Sequence, residues 1–100
     1  MTEEEELLAD VKNYLDITWD DIDTNKKISG IIKRGESYLN YITGAELNYT
    51  EEGKARELLF DYCLYVRSGK LAEFQNDYLS ELLTLQMKKG MEFYAESTDV

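Results

Sequence analysis

Histidine is absent from this chain, and with it the commonest general base and metal ligand. One cysteine and no histidine exclude zinc sites of the Cys/His kind by count, and a four-helix di-metal centre built on Glu-x-x-His cannot form. The glycines are few and scattered, at 30, 35, 44, 53, 69 and 90, so no Gly-rich phosphate loop occurs. Asp20, Asp21 and Asp23 do not make a calcium loop, because the turn glycine and closing glutamate are missing from the loop positions. No catalytic, metal or cofactor site is expected, and no enzyme. Proline is absent too, and no alternating strand pattern of useful length occurs, which leaves helix as the default. No stretch approaches the roughly 20 apolar residues of a membrane span.

What the chain has in abundance is acid. Asp and Glu number 21 against 11 Lys and Arg, a net charge of −10. The first fifty residues hold 11 acids and the second fifty 10, so the acidity is a property of the whole surface and not of a tail. Such a surface repels nucleic acid, whose binding depends on neutralising phosphates with Lys and Arg. Its simplest role is solubility. The apolar share of 43% and aromatic share of 12%, eight of them Tyr, predict a folded domain. The acidic start, Thr2 followed by four Glu, is the opposite of a signal peptide's basic one, and the lone Cys63 fits a reducing compartment, so an intracellular chain is expected.

The spacing predicts an all-α fold: a compact bundle of four helices with short connectors, in one domain over 1–95, followed by a flexible tail over 96–100. Thr2 and Glu5 have capping-box spacing, placing a first helix from Glu3 to about Asp16, with Leu7, Leu8, Val11, Tyr14 and Leu15 on one side. Thr18 or Asp20 is placed to cap a second helix from Asp21 to Thr43, and Trp19 to pack over its start. Gly35 falls on that helix's apolar face, where a glycine costs about 1 kcal/mol against Ala and so implies close approach of another helix. Gly44 suits its left-handed terminus. Thr50 is expected to cap a third helix that runs to about Arg67. A fourth, from Leu71, ends at Lys88-Lys89-Gly90 or continues to Tyr94. Asn48-Tyr49-Thr50 matches a glycosylation sequon, read here only as a helix cap.

The third helix is too apolar for an ordinary surface position. Between Leu58 and Val66 its sole charge is Asp61. Leu59, Tyr62, Cys63 and Val66 make one face, and Phe60 with Leu64 widens it beyond the stripe of about 100° that one core contact explains. Phe60 and Leu64 are therefore candidates for contact with a neighbouring copy. Trp19 and the loop bearing Tyr49 are candidates for the same role, and Met91, Phe93 and Tyr94 for docking on a different partner.

The order of segments carries a resemblance. Leu7-Leu-Ala-Asp-Val-Lys-Asn-Tyr-Leu15 and Trp19-Asp-Asp are followed by Ile28-x-x-Ile-Ile32, Gly35-x-x-Tyr-Leu39 and Ile42-Thr-Gly44. Then come Ala55-Arg-Glu-Leu-Leu-Phe-Asp-Tyr-Cys63, Tyr65-Val-Arg67 and Tyr78-Leu-Ser-Glu-Leu-Leu83. From Leu7 to Leu85 the chain resembles the head–tail connector, or head completion, proteins of long-tailed bacteriophages and prophages, small all-helical proteins often described as DNA-packaging connectors. Some members of that family continue well beyond this C-terminus. The resemblance implies a structural adaptor without cofactor, metal or catalysis. It would assemble as a dodecameric ring on the portal protein, extend the DNA channel without binding DNA specifically, and dock the next connector or tail-completion protein. The location implied is the virion's head–tail interface, reached from the bacterial host cytoplasm, with a free form that can be monomeric and no membrane partner. A second reading, from composition alone, is a small acidic regulator or DNA mimic that occupies a basic host protein, with carboxylates arrayed like phosphates. Glu3 to Glu6, Asp10, Asp20, Asp21 and Asp23 are its nearest candidates.

Overall fold

The computed structural model describes residues 2–98, with side chains through 91. Within them the helices are α1 (Glu3–Tyr14), α2 (Ile22–Thr43), α3 (Lys54–Arg67), α4 (Leu71–Asp77) and α5 (Leu79–Thr98). The all-α expectation holds, but the described residues form five helices where four are expected, because the last divides at Tyr78. No glycine or proline marks that division. Phe74 is buried, and its ring lies 4.9 Å from Tyr78 and 5.5 Å from Tyr62 and from Tyr65. Beside this aromatic cluster the backbone leaves helical geometry at Tyr78 alone (φ −110°, ψ 16°), and α5 follows at once.

Local chemistry fixes the other ends. The Thr2 hydroxyl accepts from the Glu5 amide at 3.1 Å and starts α1. Asp16 closes α1 in the left-handed region (φ 59°). The Asp16 amide donates to Asn13 and the Ile17 amide to Lys12, a Schellman closure that buries Ile17. Asp21, and neither Thr18 nor Asp20, caps α2: its carboxylate accepts from the Thr24 amide and hydroxyl, both at 3.0 Å. Gly44 ends α2 with φ 68°, as the sequence predicts. Thr50 does not cap α3. Asn48 Oδ1 accepts from the amides of Thr50 and Glu51, which holds that stretch in a turn, and the helix starts only after Gly53.

The core lies between α2 and α3. Gly35 is a point of close approach: a Cβ there would stand 2.7 Å from Leu59 Cδ1 and 2.8 Å from Tyr62 Cδ1. Around it α2 buries Ile28, Ile31, Ile32 and Leu39, and α3 buries Leu58, Leu59, Tyr62 and Cys63. Leu7 and Val11 of α1 close one end, and Phe74, Leu82 and Leu85 the other. Arg56 ties three segments together. It donates to Asp10 of α1 at 2.8 Å and to the Tyr49 carbonyl at 3.1 Å, and its guanidinium sits 4.6 Å over the Phe60 ring. The molecule is a slab, with extents of 50 × 33 × 18 Å.

Candidate functional site

The apolar excess on α3 is mostly covered by the chain itself. Phe60 is half-buried between Arg56 and Tyr14, whose ring lies 5.5 Å away. Asp61, the helix's only interior charge, accepts from the Tyr14 hydroxyl at 2.5 Å. That bond, with the nearby carboxylate charge, raises the Tyr14 phenol to about 12. Only Leu64, 39% exposed, is left facing outward. Tyr49 is a core residue, 4% exposed, and its hydroxyl donates to Asn40 Oδ1 at 2.7 Å. Trp19 is half-exposed over the start of α2, its indole N–H donating to the Thr24 hydroxyl. Met91 is exposed on α5. The side chains of Phe93 and Tyr94 lie outside the described residues, and the tail expected over 96–100 falls on the last turn of α5 and on residues 99 and 100, which also lie outside them.

The uncovered apolar surface belongs to α5. Two rows of side chains run along this helix. Tyr78, Leu82 and Leu85 face the core. Leu79, Leu83, Met87 and Met91, at four-residue intervals, form a second row that is progressively more exposed, from 45% at Leu79 and 48% at Leu83 to 66% at Met87 and 71% at Met91. Ser80, Thr84, Gln86 and Gly90 share that side, so a sector roughly 160° wide carries no charge. Tyr41 of α2, 86% exposed, extends it, and a shallow groove lined by Ile42, Gln75 and Leu82 lies between. The Gln86 amide pins α5 here by donating to the Ile42 carbonyl at 3.0 Å. In a chain that is 32% charged, an uncharged face of this size is selective. The sequence shows the pattern, since Leu79, Leu82, Leu83 and Leu85 are too many for one stripe, but it does not say which row the core takes.

The acids are distributed differently. Asp10 is held by Arg56, Asp20 accepts from Asn25 and pairs with Lys12 at 3.6 Å, Asp21 is a cap, and Glu4 pairs with Lys33 at 3.3 Å. Half of the carboxylates a phosphate mimic needs are thus engaged within the chain. A concavity of about 530 Å³ lies between the start of α1, the middle of α2 and the loop before α3, with Glu3, Glu4, Glu36 and Glu46 around Leu7 and Ile32. Burial, with Glu4 nearby, raises the Glu36 carboxyl above its ordinary range. Among the described residues no group of three or more His, Cys, Asp or Glu is placed to hold a metal ion, and no helix is long and apolar enough to cross a membrane. No protein-family model, curated protein or solved structure matches the chain.

Proposed function

We propose that this chain is a structural adaptor of the bacteriophage head–tail junction, assembling as a ring on the portal and extending its DNA channel. The observation that carries the reading is the uncharged ridge of Leu79, Leu83, Met87 and Met91 on a molecule of net charge −10. An adaptor needs surfaces that are covered only in the assembly, and a ring needs them on one side of each subunit, to be met by a different side of the next. The acidic remainder suits a channel wall along which DNA slides without adhering. The role needs no cofactor and no catalysis.

The test is sedimentation of the purified chain with purified portal protein. A ring-sized complex supports the reading, and a chain that stays monomeric and ignores the portal sinks it. Leu83→Lys with Met87→Lys changes only exposed positions, so this variant should keep the wild-type circular dichroism and thermal midpoint while losing the complex. A complex that forms unchanged in the variant would remove the ridge from the assembly.

A further inference from the structure

The concavity between α1, α2 and the loop before α3 shares no residue with the groove beside the α5 row. Its floor is apolar and fixed. Leu7, Ile32 and Tyr49 are buried there, and Leu47 is half-buried beside them. Asn40 of α2 holds the loop, its Oδ1 accepting from the Leu47 amide at 3.2 Å as well as from the Tyr49 hydroxyl. Arg56 secures the same loop by donating to the Tyr49 carbonyl. At about 530 Å³ the hollow falls within the ordinary range of preformed ligand sites, roughly 300–1,000 Å³. The wall carries an unanswered charge. Glu36 is half-buried, and its carboxylate has neither a hydrogen-bond donor nor a cation within ion-pair distance among the described residues. Lys33, one turn before it, is paired with Glu4 and offsets only part of the effect of burial. A carboxylate withdrawn from water without a counter-charge is costly, and the fold supplies none here.

We propose that this hollow receives a basic and apolar segment of a partner polypeptide, with a Lys or Arg head against Glu36 and an adjacent apolar side chain on the floor of Leu7, Ile32 and Leu47. Each half of the site selects a different half of the ligand. The floor gains by excluding water from apolar surface, which a bare cation cannot do. Glu36 supplies a carboxylate that folding has already partly desolvated, so the incoming cation meets a prepared partner. Arg suits it better than Lys, because the guanidinium fork matches a carboxylate with two parallel bonds. The hollow is half-open, and Glu3 and Glu46 stand exposed at its rim, neither of them in an ion pair. A ligand that carries a second cation past the edge therefore uses more of the site than a small amine does. The net charge of −10 draws such a segment in and makes a second copy of this acidic chain a poor occupant. The site stands apart from the α5 ridge and does not depend on the adaptor reading.

The probe is the peptide acetyl-Phe-Arg-Leu-Arg-amide, titrated into the isotope-labelled chain and followed by backbone amide chemical shifts. The shifts should concentrate on Leu7, Ile32, Glu36 and the loop from Leu47 to Thr50. Replacing both arginines of the peptide with glutamine, or both apolar residues with glycine, should weaken binding at least about tenfold. Glu36→Gln in the chain should do the same while keeping the wild-type dichroism and thermal midpoint, since it preserves shape at a half-exposed position. Glu46→Gln, at a fully exposed position, should give a smaller loss and leaves the fold untouched. A glycine-arginine peptide that binds as well as its parent overturns the inference, because attraction to the whole acidic surface then accounts for binding. So do two chain variants that bind like the wild type, shifts centred away from the hollow, or no binding at millimolar peptide. Phenethylamine that binds more tightly than the peptide would assign the hollow to a small amine and overturn the polypeptide occupant. The portal experiment reads the α5 ridge and fails or succeeds separately.

Discussion

At the scale of single residues, Gly35 is the glycine with least room, packed against Leu59 and Tyr62. Both neighbours are buried and ringed by other core side chains, so neither can move aside cheaply. Gly35→Ala should therefore destabilise by about 1–3 kcal/mol in spite of alanine's better helix propensity. Urea denaturation checks this, and an unchanged or raised midpoint would refute the close packing. Cys63 supplies a second case. Burial, with Glu36 nearby, pushes its thiol from an ordinary value of 9.0 up to about 12. Between those values the folded chain keeps a proton that the unfolded chain releases, so stability is unaffected below pH 9 and falls as pH rises toward 12. Tyr14, raised from 10.0 to about 12 by its bond to Asp61, adds to the same loss from pH 10 upward. Urea midpoints measured from pH 7 to 11 should decline from about pH 9 in the wild type, and only from about pH 10 in Cys63→Ala. In the native state at pH 8 the thiol should not react with a disulfide reagent, being both buried and protonated.

At the scale of the element, the chain covers α3 more fully than its apolar excess suggests and leaves α5 the more exposed of the two. On α3, Phe60 and Leu64 look equivalent, but the chain covers the first with Arg56 and Tyr14 and leaves the second at the surface. Phe60→Glu should cost more than about 2 kcal/mol by placing a carboxylate in that partly buried site, while Leu64→Glu should stay within about 0.5 kcal/mol. Thermal melts of the two variants decide the matter, and equal losses would mean that α3 is covered on both sides. The comparison also shows what the sequence made legible. Helix starts and stops with a local cause were readable: the Thr2 cap, the Gly44 terminus, and the need for a neighbour at Gly35. The division at Tyr78 was not, because its cause is the packing of Phe74 among tyrosines from three other places in the chain. Nor was the cover of α3, since Asp10 and Tyr14 reach it from 46 residues away. The exposed row of α5 was not read either, because Leu79 and Leu83 stand in sequence among Leu82 and Leu85, and only the packed fold separates the row that is buried from the row that is not.

At the scale of the whole molecule, the net charge of −10 opposes both folding and assembly, and salt measures how far. Inside one chain the excess acids repel across a slab only 18 Å thick, a distance that ions of physiological strength, with a screening length of about 8 Å, largely cover. Raising sodium chloride from about 20 mM to about 500 mM should therefore stabilise the isolated chain, by a few degrees in thermal midpoint. Assembly through the uncharged ridge of α5 should respond in the same direction, because screening relieves the repulsion between like-charged copies while leaving apolar contacts intact. Thermal melts of the isolated chain and sedimentation with the portal, run on the same salt series, measure the two responses independently. Parallel upward slopes are the expected result, and an assembly that weakens as salt rises would show that charge pairs, and not the ridge, hold it together.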